Sequence, residues 1–228
     1  MIDQKLKEMD DLKYNETQKA ILKVIAFFDL FEHAPSEFEI FKFISIRTSL
    51  LKTSKELLKL VDLNKLVYRE GSFALLGRES LFKEKKKRYL SAESKLKKAH
   101  KIAFILRAIP WIRSISIANV VGENNFKENS DIDLFVVCLK HRIWLTRLFS
   151  VLIIMTLGLR PQKNNHKDKI CLSFYLSEDN LSFSSIMIEN DIYFKYWSLF
   201  LIPIYEARGL HNILIEKNDW IKNENTYC

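Results

Sequence analysis

Apolar positions along the chain change period several times, and each change marks an element. Ile21, Leu22, Val24, Ile25, Phe28, Leu30 and Phe31 recur at helical spacing behind Asn15-Glu16-Thr17-Gln18, a polar run suited to capping the first free amides. They predict a helix over 17–31. His33-Ala34-Pro35 breaks it, and Ser36-Glu37-Phe38-Glu39 is a capping box for a second helix that carries Phe38, Ile40, Phe41 and Ile44. A third helix is expected after Thr53-Ser54, with Leu57, Leu58, Leu60 and Val61 on its apolar side and Asn64 at its end. Leu66-Val67-Tyr68-Arg69 and Phe73-Ala74-Leu75-Leu76 then flank Glu70-Gly71-Ser72, the pattern of two short strands about a turn.

Three helices followed by a hairpin is the order of a winged helix-turn-helix, here over 1–77. After Gly77 neither Pro nor Gly occurs until past Arg107, and apolar residues fall at 82, 89, 92, 96, 99, 103 and 106. These steps place one apolar stripe on a long helix, and 30 residues of it would span about 45 Å, enough to connect two modules. Beyond Pro110 the pattern becomes strand-like. Ile115, Ile117 and Val121 alternate with Ser114, Ser116 and Ala118, while Asp131 to Cys138 is apolar on both faces and is expected at the centre of a sheet. A helix with Trp144, Leu145, Leu148 and Val151 to Met155 follows, then a strand over 169–176 and helices over 189–202 and 209–222, interrupted by Pro203. The expected class is α+β, with a mixed sheet flanked by helices in the C-terminal part.

The longest apolar run, Leu148 to Leu159, has 12 residues, and a bilayer span needs about 20. It is expected to be a buried helix, and no membrane partner is expected. Trp144, Trp197 and Trp220 are expected in the core. With 48% hydrophobic residues and only 5 Gly and 4 Pro, the composition excludes a disordered or collagen-like chain. The three cysteines, 138, 171 and 228, lack the spacing of a zinc knuckle or redox pair, and Cys138 and Cys171 sit in apolar runs as small hydrophobes. No secretory signal pattern opens the chain, so the expected location is cytoplasmic. The five histidines, 33, 100, 141, 166 and 211, have no metal-binding spacing.

Charge refines this division. The net charge is +8, but residues 1–77 hold 12 basic and 12 acidic side chains and residues 108–228 hold 13 of each, against 11 and 3 in 78–107. The excess belongs to the connecting helix, where Lys83, Lys85, Lys86, Lys87, Arg88, Lys95, Lys97 and Lys98 lie mostly off the apolar stripe. A nucleic acid along 78–107 is the partner this charge implies; a solvated face is the alternative.

The candidate chemistry lies in Ser130-Asp131-Ile132-Asp133-Leu134-Phe135-Val136-Val137. Strand alternation puts Asp131 and Asp133 on one face, where two carboxylates repel unless a cation, most naturally Mg²⁺, neutralises them. The alternative role is to brace the Asn124–Ser130 turn. This run, with Arg142-Ile143-Trp144-Leu145-Thr146-Arg147 and Lys167-Asp168-Lys169-Ile170-Cys171-Leu172 after it, resembles the nucleotidyltransferase superfamily of the DNA polymerase beta fold, small prokaryotic type with an N-terminal winged helix. The resemblance implies modules at 1–77, 78–109 and 110–228, and transfer of a nucleoside monophosphate from ATP or another triphosphate to a hydroxyl. It makes Asp131 and Asp133 the catalytic ligands of a two-Mg²⁺ site, with Asn119, Gly122 and Ser130 at the nucleotide. The family's first motif is Gly-Ser; its ungapped positions here are Asn119 and Val120, and the nearby Gly122 is followed by Glu123. The third carboxylate of the family would come from the strand at 169–176, which contains no acid, so Asp168, Glu178 or Asp179 at its ends is expected to reach the metal. The rival expectation is a catalytically degenerate relative that binds nucleic acid or protein.

Overall fold

A computed structural model describes residues 14–188 and 191–221, and the chain divides into two compact units between Lys87 and Arg88. In the N-terminal unit, helices α1 (Glu16–Leu30), α2 (Glu37–Phe43) and α3 (Leu50–Asp62) precede the antiparallel pair β1 (Leu66–Arg69) and β2 (Ser72–Leu75). Asn15 and Gln18 form a capping box on α1, and Ser36 and Glu39 form one on α2. Ile21, Ile25, Phe28, Ile40, Ile44, Leu57 and Leu60 are fully buried, as their helical spacing requires. Three expectations need correction. The cap of α3 is Ser49 rather than Thr53-Ser54; Thr53 is buried one turn inside, its hydroxyl donating to the Ser49 carbonyl at 3.0 Å. Leu58 and Phe38 lie on the solvent side of their helices.

Helix α4 (Ser80–Leu106) is continuous, yet its residues up to Lys87 belong to the N-terminal unit and those from Arg88 to the C-terminal unit. Leu81 and Phe82 join Ala34 and Ala74, while Ala92, Ala99, Ile102, Ala103 and Leu106 enter the core of the C-terminal unit. Tyr89, expected on the stripe, is exposed. Two of the cations are not on a solvated face at all: Arg88 and Lys95 are buried.

The C-terminal unit contains β3 (Ile112–Ala118), β4 (Ile132–Cys138), α5 (Ile143–Thr156), β5 (Ile170–Ser177), α6 (Ile192–Leu199), β6 (Ile202–Glu206), α7 (Leu210–Glu216) and a 3₁₀ turn at Asp219–Ile221. The sheet order is β5-β4-β3-β6, with β4 and β5 parallel and the other pairs antiparallel. The β4 position, between two neighbours and covered on both faces, accounts for its unbroken apolar run. Ile115, Ile117, Ile132, Leu134 and Val136 pack with α4 and Ile154 on one face; Ala118, Phe135 and Val137 pack with Phe183, Trp197, Leu201, Leu210 and Leu214 on the other.

The expected helix at 189–202 is shorter than its pattern, and its last position already belongs to a strand. Pro203 sits inside β6, tolerated because β6 is an edge strand with one side free of ladder bonds. Residues 189, 190 and 222 of the two expected helices, and Cys228, lie outside the described residues. A larger correction concerns α5. Its buried stripe is Thr146, Ser150 and Ile154, with the Ser150 hydroxyl 2.6 Å from that of Tyr175, whereas Trp144, Leu148, Phe149, Leu152 and Met155 face outward. Leu148–Leu159 is therefore not a buried run, and Trp144 is not a core residue; Trp197 is buried and Trp220 half-buried. Among the described residues no helix is long and apolar enough to cross a membrane.

Candidate functional site

The last residues of β3 and the first residues of β4 and β5 meet at one end of the sheet. Asp133 is paired with Ala118 of β3 on one side and with Cys171 of β5 on the other, so the residue just past β3, Asn119, and the thiol of Cys171 flank its carboxylate. Asp131, just before β4 begins, brings its carboxylate to the same place. One ligand atom from each of Asp131, Asp133 and Cys171 lies within 4.8 Å of the others, and all three residues are half-buried.

Asn119 adopts a left-handed backbone conformation, φ 59°, which asparagine tolerates better than a branched residue. Its side chain bridges two groups: Oδ1 accepts from the Trp197 indole Nε1 at 2.6 Å, and the amide bonds the Asp133 carboxylate. Burial pushes Asp133 above the ordinary carboxylate range; bonds from Asn119 and Cys171 oppose this, and the charge of Asp131 adds to it. The Cys171 thiol is pushed up to about 11, first by burial and then by the neighbouring carboxylates, while Ser173, 2.6 Å away, acts in the opposite direction.

The loop that delivers Asp131 is held from α4. The Lys95 ammonium, with a fully buried side chain, donates to the Ser130 carbonyl and pairs with Asp168 at 3.0 Å. Arg88 donates to Asn125 Oδ1 at 2.8 Å, and Asn125 donates in turn to the Val121 carbonyl at 2.7 Å. The charge pattern counted both cations as surface charge on the connector. Their role depends on which turn of α4 meets the loop, and no local signal in the sequence reports that.

The other expected residues fall as follows. Gly122, φ 99°, accepts a backbone bond from Asn125 at 3.3 Å, and the Ser130 hydroxyl donates to the Lys127 carbonyl at 2.9 Å, within its own loop. Asp168 is paired with Lys95, Glu178 with Arg113 at 3.1 Å and Asp179 with Lys140 at 3.3 Å. The group beside Asp131 and Asp133 is thus Cys171, not one of these three acids. Its place follows from the β4–β5 register, which a one-residue slip would reverse.

Two hollows adjoin the cluster. One, of about 360 Å³, is lined by Asn119, Phe135, Phe174, Tyr193, Phe194 and Trp197, with Ser173 at its side. Phe194 and Trp197 stack with centroids 5.7 Å apart, and the Tyr193 hydroxyl pKa is raised first by burial and then by the charges of Asp133 and Asp191. The size and apolar lining of this hollow suit a planar ring. The other, of about 270 Å³, has Cys171 and Ser173 on one side and Arg147 and Arg160 on the other.

The donor set decides what cation fits. Two carboxylates suffice for one Mg²⁺ held jointly with phosphate oxygens and water. A second Mg²⁺ needs another hard oxygen ligand, and the adjacent position offers a thiol, a donor that suits Zn²⁺ or Co²⁺ rather than Mg²⁺. The residues fit a single cation and do not fit the pair of Mg²⁺ ions that the resemblance implies. Comparison with protein-family models, with curated proteins and with solved structures finds no match.

Proposed function

We propose that the C-terminal unit binds a nucleoside triphosphate together with one divalent cation, in the manner of a nucleotidyltransferase-type domain. The observation that carries this reading is the shared end of the three strands, where Asp131 and Asp133 converge beside an aromatic hollow of nucleobase size. Asp131 and Asp133 would hold the cation, which offsets the triphosphate charge; Asn119 orients Asp133; Phe174 and Tyr193, on the open part of the hollow, would meet the base, backed by the stacked Phe194 and Trp197; and Arg147 supplies a cation for phosphate oxygens. The N-terminal unit, with three helices and a hairpin, supports the reading of a winged helix beside this domain.

Binding is better supported than transfer. Cys171 stands where the third carboxylate is required, and Asn119 is bonded to Asp133 and Trp197 where a Gly-Ser would leave room for phosphate. These two observations favour the second reading, a relative that has kept nucleotide recognition and lost group transfer. A titration of Mg²⁺ and ATP against the natural chain and against Asp131→Asn plus Asp133→Asn tests the binding that both readings share: cation-dependent binding lost in the double variant is expected, and no binding to the natural chain overturns both. Incubation with labelled ATP and candidate hydroxyl acceptors separates the two readings, because only a transferase leaves label on an acceptor.

A further inference from the structure

The outward face of α5 carries a row of large apolar side chains. Trp144, Leu148, Leu152 and Met155 follow at steps of four, four and three, one stripe about 16 Å long at the helical rise of 1.5 Å per residue. They are 79, 61, 53 and 52% exposed, and Phe149 beside them is 42% exposed. The helix is fixed in this orientation by its small polar stripe, Thr146 and Ser150, which lies against β5, so the apolar residues do not turn inward.

Along the chain the charges flanking this stripe are basic, and two of them are already paired with acids from elsewhere, Lys140 with Asp179 and Lys167 with Glu128. Between residues 134 and 167 there are six Lys and Arg and no Asp or Glu. Arg142 stands at the N-terminal end, making no side-chain capping bond, and lies 5.8 Å from the Trp111 ring, which packs against Phe149; Arg160 reaches Met155 Sδ at 3.3 Å at the other end. Arg142 and Arg160 make no ion pair among the described residues.

We propose that this face of α5 docks on an anionic lipid surface, lying in the plane of the bilayer interface. A convex apolar stripe with a tryptophan at one end and arginines at both ends matches a membrane whose acyl boundary takes up the leucines while phosphates meet the guanidinium groups. A second copy of the chain would bring the same cations against themselves. A nucleic acid would leave the leucines without an apolar surface to cover them. The sequence excludes a partner of this kind only because the run is too short to span; lying in the interface requires no span.

Sedimentation of the full chain with phosphatidylcholine vesicles, with and without phosphatidylserine, tests this. Binding is expected only to the serine-containing vesicles, weakening as salt screens the arginines, and accompanied by a blue shift of tryptophan emission that Trp144→Phe diminishes. Arg142→Gln and Arg160→Gln should each weaken binding about five-fold, and Leu148→Gln plus Leu152→Gln should abolish it with an unchanged far-ultraviolet dichroism spectrum. Failure to sediment with anionic vesicles at low salt overturns the proposal, and so does undiminished binding by the double leucine variant. A dimer in analytical ultracentrifugation that this variant dissociates also overturns it, by showing a second copy on the face. Free inorganic phosphate, titrated alone, separates a headgroup site from a phosphate site: competition that abolishes vesicle binding overturns the lipid reading.

Discussion

The ion pair of Lys95 and Asp168 is unevenly buried, and that asymmetry predicts which partner matters more. The Lys95 side chain is 0% exposed and that of Asp168 35%. Asp168→Asn keeps a side chain that tolerates the left-handed backbone at this position, φ 56°, and keeps an acceptor oxygen, so chiefly the charge is removed. A buried ammonium is then left without its counter-ion, at a cost of about 3 kcal/mol, the lower end for breaking a buried pair. Lys95→Met retains the apolar stem and removes the buried charge. What remains is Asp168, open to water, and the Ser130 carbonyl without its donor, together about 1–2 kcal/mol. All four tryptophans, 111, 144, 197 and 220, belong to the C-terminal unit. Thermal melts followed by tryptophan emission therefore report on that unit alone. At about 2–4 °C per kcal/mol, Asp168→Asn should lower the midpoint by about 6–12 °C and Lys95→Met by about 2–8 °C. The double variant, which has no unpaired charge, should melt above Asp168→Asn alone. A double variant no more stable than Asp168→Asn, or a Lys95→Met that is the worse of the two single changes, would refute the argument from uneven burial.

Three further expectations follow from the same structure. Replacing Cys171 by Asp completes three carboxylates and should tighten Mg²⁺ binding by about ten-fold, the order set by one added ligand charge, whereas Co²⁺ added to the natural chain should give a sulfur-to-cobalt absorption band that Cys171→Ser lacks. Because the folded pKa of Asp133 is raised above its unfolded value, its contribution to stability is present at low pH and is lost as pH rises through the folded pKa; urea unfolding across acidic pH should show this slope, and Asp133→Asn should remove it, while cation affinity should move oppositely, rising with pH as Asp133 ionises. Ser36→Ala deletes the cap of α2, whose hydroxyl accepts from the Glu39 amide at 3.2 Å, and should cost about 1 kcal/mol, read from the far-ultraviolet dichroism melt, with Ser36→Thr recovering most of it.

Local patterns carried much of this fold in the sequence. The cap at Asn15, the capping box at Ser36, the hairpin about Gly71 and the central strand expected from Asp131 to Cys138 depend on interactions within a few residues or on an unbroken apolar run, and all four are visible before any tertiary contact forms. The start of α3 was displaced because Thr53 satisfies its hydroxyl on the Ser49 carbonyl inside the helix, a choice that burial makes and composition does not. Pro203 punctuates the chain as expected, but its place on an edge strand depends on which side of β6 lacks a neighbour.

The candidate site divides in the same way. Alternation alone put Asp131 and Asp133 on one face, since a strand's period is two wherever it lies. That Cys171 stands opposite Asp133, that Asn119 turns back to the carboxylate and to Trp197, and that Lys95 reaches the loop from a helix 35 residues upstream of Ser130 were decided by register and by the seating of α4 on the sheet. The α5 face shows the limit most plainly. Leu148 to Leu159 is the longest apolar run in the chain, and hydropathy by itself sends such a run inward. The tertiary structure instead seats Thr146 and Ser150 against β5, because small side chains and the Ser150–Tyr175 bond allow close approach there, and so leaves Trp144, Leu148 and Leu152 outside. Sequence determined what each element is; which face of it meets the sheet was set by packing between residues far apart in the chain.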